Sequence, residues 1–298
     1  MLLLGIASDS RRRRAGGRRN RGRCSPEKRG DITRRRIGVI AAKRRNKSRD
    51  SVVNPIVVIP ARMASTRLPG KPLADIGGEP MIVRVWRQAM AADVGPVIVA
   101  AAEREIAQAI EQAGGRAVLT SPDHPSGSDR VHAAVEILDR RGTHDVVVNL
   151  QGDLPALDPK CIRAVVEVLA PTGADIATLA AEIDDEADYD NPSVVKPVIS
   201  WDTTGVRGRA LYFTRARAPA GDGPLYHHIG IYAFKRAALS RFVTLEPSPL
   251  EKREKLEQLR ALEAGMSIAV ARVAAVPLSV DTPADLEKAR ALITKGYR

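Results

Sequence analysis

The densest chemistry in the chain lies in one run, Pro60-Ala61-Arg62-Met63-Ala64-Ser65-Thr66-Arg67-Leu68-Pro69-Gly70-Lys71-Pro72-Leu73. Three cations, Arg62, Arg67 and Lys71, are interleaved with small residues, Ala61 and Ser65 among them, whose backbone N–H groups are easy to reach. Such a loop suits a polyphosphate, because guanidinium forks and an ammonium neutralise it while amides hydrogen-bond its oxygens. A P-loop is excluded: the earlier glycine is missing at the required spacing, and Pro72 stands where Ser or Thr should follow the lysine. A dinucleotide fingerprint is excluded too, since G-x-G-x-x-G does not occur.

Two carboxylates come next. Asp153 closes Asn149-Leu150-Gln151-Gly152-Asp153, and Asp281 follows Val276–Val280. Both are expected at strand ends, at the same edge of a sheet. Mg²⁺ takes one or two such carboxylates and completes its octahedron with phosphate oxygens and water. Asp281 also reads as a residue favoured by the dipole of the helix that begins after it, and Asp153 as an ordinary turn residue.

Strands alternating with helices would carry these groups. Pro55–Pro60, Val97–Ala100, Ala117–Leu119 and Asp145–Leu150 read as buried strands, separated by helices at Met81–Met90, Arg104–Gln112 and Ser128–Arg140. Helix Lys160–Leu169 follows, then strands Ala174–Glu182, Ser193–Ser200, Ala210–Phe213, Ile229–Phe234 and Ile268–Val273. Alternation of this kind indicates an α/β sheet, with ligands beyond the carboxyl ends of its strands. Ser248-Pro249-Leu250-Glu251 is a capping box that opens one helix running to Ala264. On that helix Glu251, Glu254 and Gln258 fall within about 60° of one another, a polar stripe. Thr282-Pro283-Ala284-Asp285 caps the last helix. Ser128 reads as the N-cap of its helix, with Asp129 and Arg130 in the first turn. His227 and His228 face opposite sides of their strand, so they are no metal pair.

Residues 55–298 resemble the 3-deoxy-manno-octulosonate (Kdo) cytidylyltransferases. The pattern P-A-R-x-x-S-x-R-L-P-G-K-P-L is complete, and Q-G-D and V-D-T-P-x-D-L-E match around Asp153 and Asp281. Asp123–Arg130 is similar to the family's H-x-S-G-T-x-R, which lies at the cytosine end of CTP and brings in Ser126, Gly127, Ser128 and Arg130. Leu211–Arg215 is similar to L-Y-F-S-R, and His227–Tyr232 to R/K-H-x-G-I-Y with His227 in place of the cation. Ser248–Arg260 matches S-P-L-E-x-x-E-x-L-E-Q-L-R. Two departures stand out: Leu154 replaces the glutamate of Q-G-D-E-P, and Ala100-Ala101-Ala102-Glu103 stands where A-T-D is common.

The resemblance implies a Rossmann-like nucleotidyltransferase fold: a mixed, mostly parallel sheet flanked by helices, with a smaller β-rich part for sugar binding and dimerisation. It implies transfer of CMP from CTP to Kdo for lipopolysaccharide synthesis, in the cytoplasm, by a homodimer. Mg²⁺ would be held by Asp153 and Asp281, and the triphosphate by Arg62 and Lys71. The nucleotide would meet Ala61, Ser65, Arg67, Ser126, Gly127, Ser128 and Arg130. Gln151, Arg215, His228, Tyr232, Glu251, Glu254 and Gln258 would meet the sugar acid, with the Arg215 fork on its carboxylate. Related sugar acids, 8-amino-Kdo or sialic acid, are the alternative substrates.

Net charge is +12 over 298 residues, which by itself suggests a nucleic-acid binder. The charge is confined to residues 1–54, with 15 Arg, 3 Lys and 4 acids; the remainder has 29 basic and 31 acidic residues. The body, residues 55–298, is nearly neutral, and aromatics are only 3%, so no nucleic-acid partner is expected for it. The leader is expected to be disordered, and to reflect a start placed too far upstream, a basic tail for nucleic acid or an anionic membrane, or a targeting segment; a nucleic-acid binder acting through it is the alternative function. No apolar run approaches the roughly 18 residues of a membrane span, and no membrane partner is expected. Two cysteines, Cys24 and Cys161, make no disulfide framework.

Overall fold

The computed structural model describes residues 53–294. Of the basic leader, only Val53 and Asn54 fall within that range, so the expectations about it lie outside the described residues. Strand β1 (Pro55–Ala61) is apolar and mostly β-branched, and nearly all of it is buried. Its period of two sends Val57 and Ile59 into one apolar core and Ile56 and Val58 into another, one on each face of the sheet. A small hairpin, β2 (Asp75–Ile76) and β3 (Glu79–Pro80), leads into α1 (Met81–Ala91). Then come β4 (Val97–Ala101), α2 (Arg104–Gln112), β5 (Arg116–Leu119), α3 (Gly127–Leu138) and β6 (Val146–Leu150). The second half runs α4 (Pro159–Thr172), β7 (Ile176–Glu182), β8 (Lys196–Trp201), β9 (Arg207–Thr214), β10 (Tyr226–Lys235) and α5 (Arg236–Val243). It ends with α6 (Pro249–Glu254), α7 (Gln258–Glu263), β11 (Ile268–Val273) and α8 (Pro283–Thr294).

Nine strands form one sheet in the order β5-β4-β1-β6-β10-β7-β11-β9-β8. Following the pairings across it, β10 and β9 run against the other seven, so the sheet is mixed and mostly parallel. The β-rich second half extends this sheet rather than building its own. Helices α1, α2 and α4 cover one face, and α3, α5 and α7 the other. The chain leaves β1 toward β4 and β5, then returns to β6 on the other side of β1. That reversal opens a crevice at the carboxyl ends of β1 and β6, where α/β sheets bind ligands.

Three expectations are corrected. The helix from Ser248 is not continuous: Lys255 adopts φ 56°, ψ 46°, and splits it into α6 and α7. The bend lets the Arg260 guanidinium reach Glu251 with bonds of 2.8 and 2.6 Å. On a straight helix, nine residues would separate them by about 13.5 Å along the axis. The stripe of Glu251, Glu254 and Gln258 is therefore broken. Second, the N-cap of α3 is Ser126, whose Oγ accepts the N–H groups of Ser128 and Asp129 at 3.1 and 3.3 Å. Third, Asp281 follows an irregular segment instead of a strand.

Candidate active site

Three segments meet at the crevice. The loop after β1 is held by its own backbone, with the Gly70 N–H donating to the Met63 carbonyl at 3.2 Å. Gly70 has φ 70°, a left-handed turn that glycine takes without steric cost. The Met63 N–H donates to Glu103 Oε2 at 2.9 Å, so a carboxylate at the start of α2 anchors the loop from outside. Sequence reasoning saw Glu103 only as a departure from the family pattern. The turn after β6 presses against β1, since a Cβ on Gly152 would lie 3.2 Å from the Pro60 carbonyl oxygen. The segment before α8 joins through a small apolar cluster in which Val280, Leu286 and Ala289 pack with Ile76 and Met81, flanked by Leu68. The Val280 N–H also donates to the Asp153 carbonyl at 2.9 Å. Thr282 and Asp285 close the N-terminus of α8 reciprocally, at 3.1 and 3.2 Å.

Asp153 and Asp281, far apart in sequence, thereby converge. The Lys71 ammonium donates to Asp153 Oδ2 at 2.9 Å and to Asp281 Oδ1 at 3.0 Å. Arg67 Nη2 lies 3.2 Å from the other oxygen of Asp281. Burial alone would lower the Lys71 pKa, but Asp153 and then Asp281 outweigh it, so the ammonium is held above its ordinary value. Two convergent carboxylates suit Mg²⁺, which takes one or two such oxygens and completes its shell with phosphate and water. A structural zinc site would need a closed set of N and S donors.

Beside the pair lies a cleft of about 400 Å³ lined by Ala61, Arg62, Ser65, Arg67, Lys71, Ser126, Gly127, Arg130, Gln151 and Asp153. Four of these side chains are cationic, and the capped N-terminus of α3 faces the same space, an arrangement suited to an anion. Arg130 is only 2% exposed. Its Nη1 donates to Thr120 Oγ1 and the Ser121 carbonyl at 2.7 and 2.9 Å, bracing the wall of the cleft. Ser128 does not line the cleft: its Oγ donates to Glu257 Oε2 at 2.9 Å. That bond belongs to a polar chain, in which Gln151 Nε2 donates to Asn149 Oδ1 at 3.0 Å and Asn149 Nδ2 to Ser128 Oγ at 3.4 Å. Asn149 and Glu257 were not among the expected site residues, although Glu257 lies inside a matched motif and Asn149 two residues before another.

A second cavity of about 780 Å³ shares Gln151 and Asp153 with the first and adds Asp281, Leu154, His227 and His228. Burial pushes His228 down to about 3, so its imidazole is neutral, with Nε2 3.0 Å from Thr178 Oγ1. Tyr232 packs against the His228 ring at 5.6 Å, and burial, then Glu257, push its phenol up. Gln258 is 6% exposed, and its Nε2 has no hydrogen-bond partner. Of the residues expected at the sugar, Gln151 and His228 line this cavity; Tyr232, Gln258, Arg215, Glu251 and Glu254 do not. Arg215 donates to the Glu254 and Pro192 carbonyls at 2.9 Å each. Glu254 accepts from Thr214 Oγ1 at 2.9 Å and from the Arg215 N–H at 3.0 Å. Glu251 is occupied by Arg260 and by the Ser248 N–H at 3.0 Å.

Comparison with known proteins matches this arrangement to a family. A cytidylyltransferase family model matches residues 56–268. The chain is 67% identical over 242 residues to a 3-deoxy-manno-octulosonate cytidylyltransferase of Parvibaculum lavamentivorans, covering 81% of this chain and 93% of the relative. It is 63% identical to the protein of that name from Methylobacterium radiotolerans, covering 80% of this chain and 97% of the relative. A solved structure of CMP:2-keto-3-deoxy-manno-octonic acid synthetase complexed with CTP superposes with a TM-score of 0.75 at 38% identity, covering 81% of this chain and 99% of that one. With the loop, the carboxylate pair and the capped helix N-terminus at one crevice, the chain belongs to the 3-deoxy-manno-octulosonate cytidylyltransferase family.

Proposed function

We propose that the chain transfers CMP from CTP to the anomeric hydroxyl of Kdo, releasing pyrophosphate. The observation that carries this reading is the meeting of Asp153, Asp281 and Lys71 between a cationic cleft and a second cavity. The cleft takes CTP, and the second cavity takes the sugar acid. The sugar oxygen bonds to the α-phosphorus as the bond to the departing pyrophosphate breaks, and the hydroxyl proton is released. Arg62, Arg67 and Lys71 neutralise the charge gathering on the pyrophosphate, which is the main catalytic requirement of such a transfer. Ala61, Ser65, Ser126 and Gly127 seat the nucleotide, while Ser128 and Arg130 brace the wall behind it. Gln151 and His228 face the sugar, Tyr232 buttresses His228, and Gln258 is buried outside the lining of the second cavity. Arg215, Glu251 and Glu254 hold the bend beneath that wall. Asp153 and Asp281 would hold Mg²⁺, which neutralises polyphosphate and lowers the pKa of a hydroxyl it binds.

The family resemblance further supports a homodimer working in the cytoplasm. No helix among the described residues is long and apolar enough to cross a membrane. A second reading, 8-amino-Kdo as acceptor, is favoured by Glu182, Asp184, Asp185 and Asp188, which line the second cavity and suit an amine. The test is pyrophosphate release from CTP and Mg²⁺ with Kdo, 8-amino-Kdo and sialic acid in parallel. Kdo is expected to be fastest. Release no faster with Kdo than without any sugar would end the proposal, and faster release with the amino sugar would shift it to the second reading.

A further inference from the structure

The carboxylate pair is already neutralised by the chain's own cations. Lys71 Nζ holds one oxygen of each aspartate at 2.9 and 3.0 Å, and Arg67 holds a third oxygen at 3.2 Å. Two carboxylates, one ammonium and one guanidinium sum to no net charge. A divalent cation needs the same oxygens, and an ammonium beside it would repel it. Adding the cation alone would also leave the cluster strongly positive, whereas a polyphosphate arriving with it restores balance. Lys71 lines the polyphosphate cleft as well, so its ammonium faces two competing sets of anionic oxygens. Its stem is flexible and its donors rotate, so the same side chain can serve either set.

We infer that Lys71 is a placeholder: it holds Asp153 and Asp281 together in the chain alone and yields them to a divalent cation when a polyphosphate in the cleft draws its ammonium away. This rests on the reading that the pair binds Mg²⁺. Because coupling between binding sites is reciprocal, nucleotide and metal then tighten each other, and Lys71 carries much of that coupling.

The experiment is Mn²⁺ titration of the full chain, read by electron paramagnetic resonance, without nucleotide and with the α,β-methylene analogue of CTP. Wild type should bind Mn²⁺ weakly alone and much more tightly with the analogue. Lys71→Met should bind Mn²⁺ alone roughly 10-fold more tightly or better, the scale of losing a charged competitor. It should gain less from the analogue than wild type does. Lys71→Arg, which keeps the charge, should stay near wild type, and adding Asp281→Asn to Lys71→Met should remove the gain. Circular dichroism checks folding, and Lys71→Gln replaces the methionine variant if that one does not fold. Equal or weaker Mn²⁺ binding by the uncharged variants, or an undiminished response to the analogue, overturns the placeholder alone. Absence of Mn²⁺ binding in wild type even with the analogue overturns the metal assignment, and the placeholder with it.

Discussion

At the scale of residues, the chemistry concentrates where opposite charges are packed by apolar neighbours. Asp153 and Asp281 meet because Val280 and Leu68 join the same small cluster and because the Val280 N–H binds the Asp153 carbonyl. Neither aspartate belongs to a core, so Asp153→Asn and Asp281→Asn should both fold. Each should lower turnover by roughly 100-fold or more, the scale of losing one preorganised electrostatic contact. Each should also raise the Mg²⁺ concentration needed for half-maximal rate. Steady-state pyrophosphate release across a Mg²⁺ series measures both, and near wild-type turnover at low Mg²⁺ would remove that aspartate from the ligand set. Although the strand expected before Asp281 is an irregular segment, the meeting of the cationic loop and both aspartates was legible from their residue types and from the motifs they sit in. Glu103 was not, since its task depends on where the Met63 N–H points, which no local pattern records.

Among the elements, the region below the second cavity is organised by cations reaching backbone carbonyls. Lys196 is fully buried, and its ammonium donates to the Asn191, Val194 and Arg215 carbonyls at 2.8, 2.7 and 2.7 Å. Burial lowers its pKa, and Asp190 and Asp188 oppose that only in part. One side chain therefore ties the loop before β8 to the end of β9. Lys196→Met keeps the stem but strands three carbonyls, and should destabilise the protein by roughly 3–5 kcal/mol. Urea unfolding measures this; a loss below about 1 kcal/mol would mean that water or a neighbour satisfies those carbonyls. The capping box at Ser248 was legible, but the break at Lys255 was not. Residues Glu254 to Arg260 are nearly all good helix formers, and lysine is an unfavourable choice for a left-handed turn. The burial of Leu256 and the bidentate Glu251–Arg260 pair override that local preference.

Over the whole molecule, carboxylates held below their ordinary range set the response to acid. Burial alone would raise Asp139, yet the Thr143 hydroxyl, the His144 and Thr143 N–H groups and Arg236 hold it well below. Asp175 and Glu251 are likewise lowered against the effect of burial, by Ser267 and by Arg260 respectively. A carboxylate depressed in the folded state adds stability above its unfolded pKa of about 4, and that stability is lost as pH falls through the lower folded value. The melting temperature should be nearly level from about pH 7 to 5 and fall steeply below about pH 4. Asp139→Asn should melt lower at neutral pH and show a shallower acid decline; parallel slopes for variant and wild type would refute the assignment. The charge division makes a further prediction. A chain starting at Val53 should keep the turnover of the full chain, because the loop, both aspartates and both cavities lie beyond it. A large loss of turnover would give the leader a part in catalysis.

The sequence by itself determined the α/β alternation, the cationic loop after the first strand and the near-neutral body, and it singled out the two aspartates. These follow from periodicity, from residue type and spacing and from counting, all of which are local or additive. It also carried enough of a family's motifs to indicate the reaction. Only the tertiary structure decided that Ser128 faces Glu257, that Arg215 and Glu254 clamp a bent helix pair, and that Lys71 sits between the two aspartates. Those outcomes depend on which of several satisfiable partners lies within about 3 Å of a donor. Distance across a fold is set by the packing of all the elements together, so no single stretch of chain contains it.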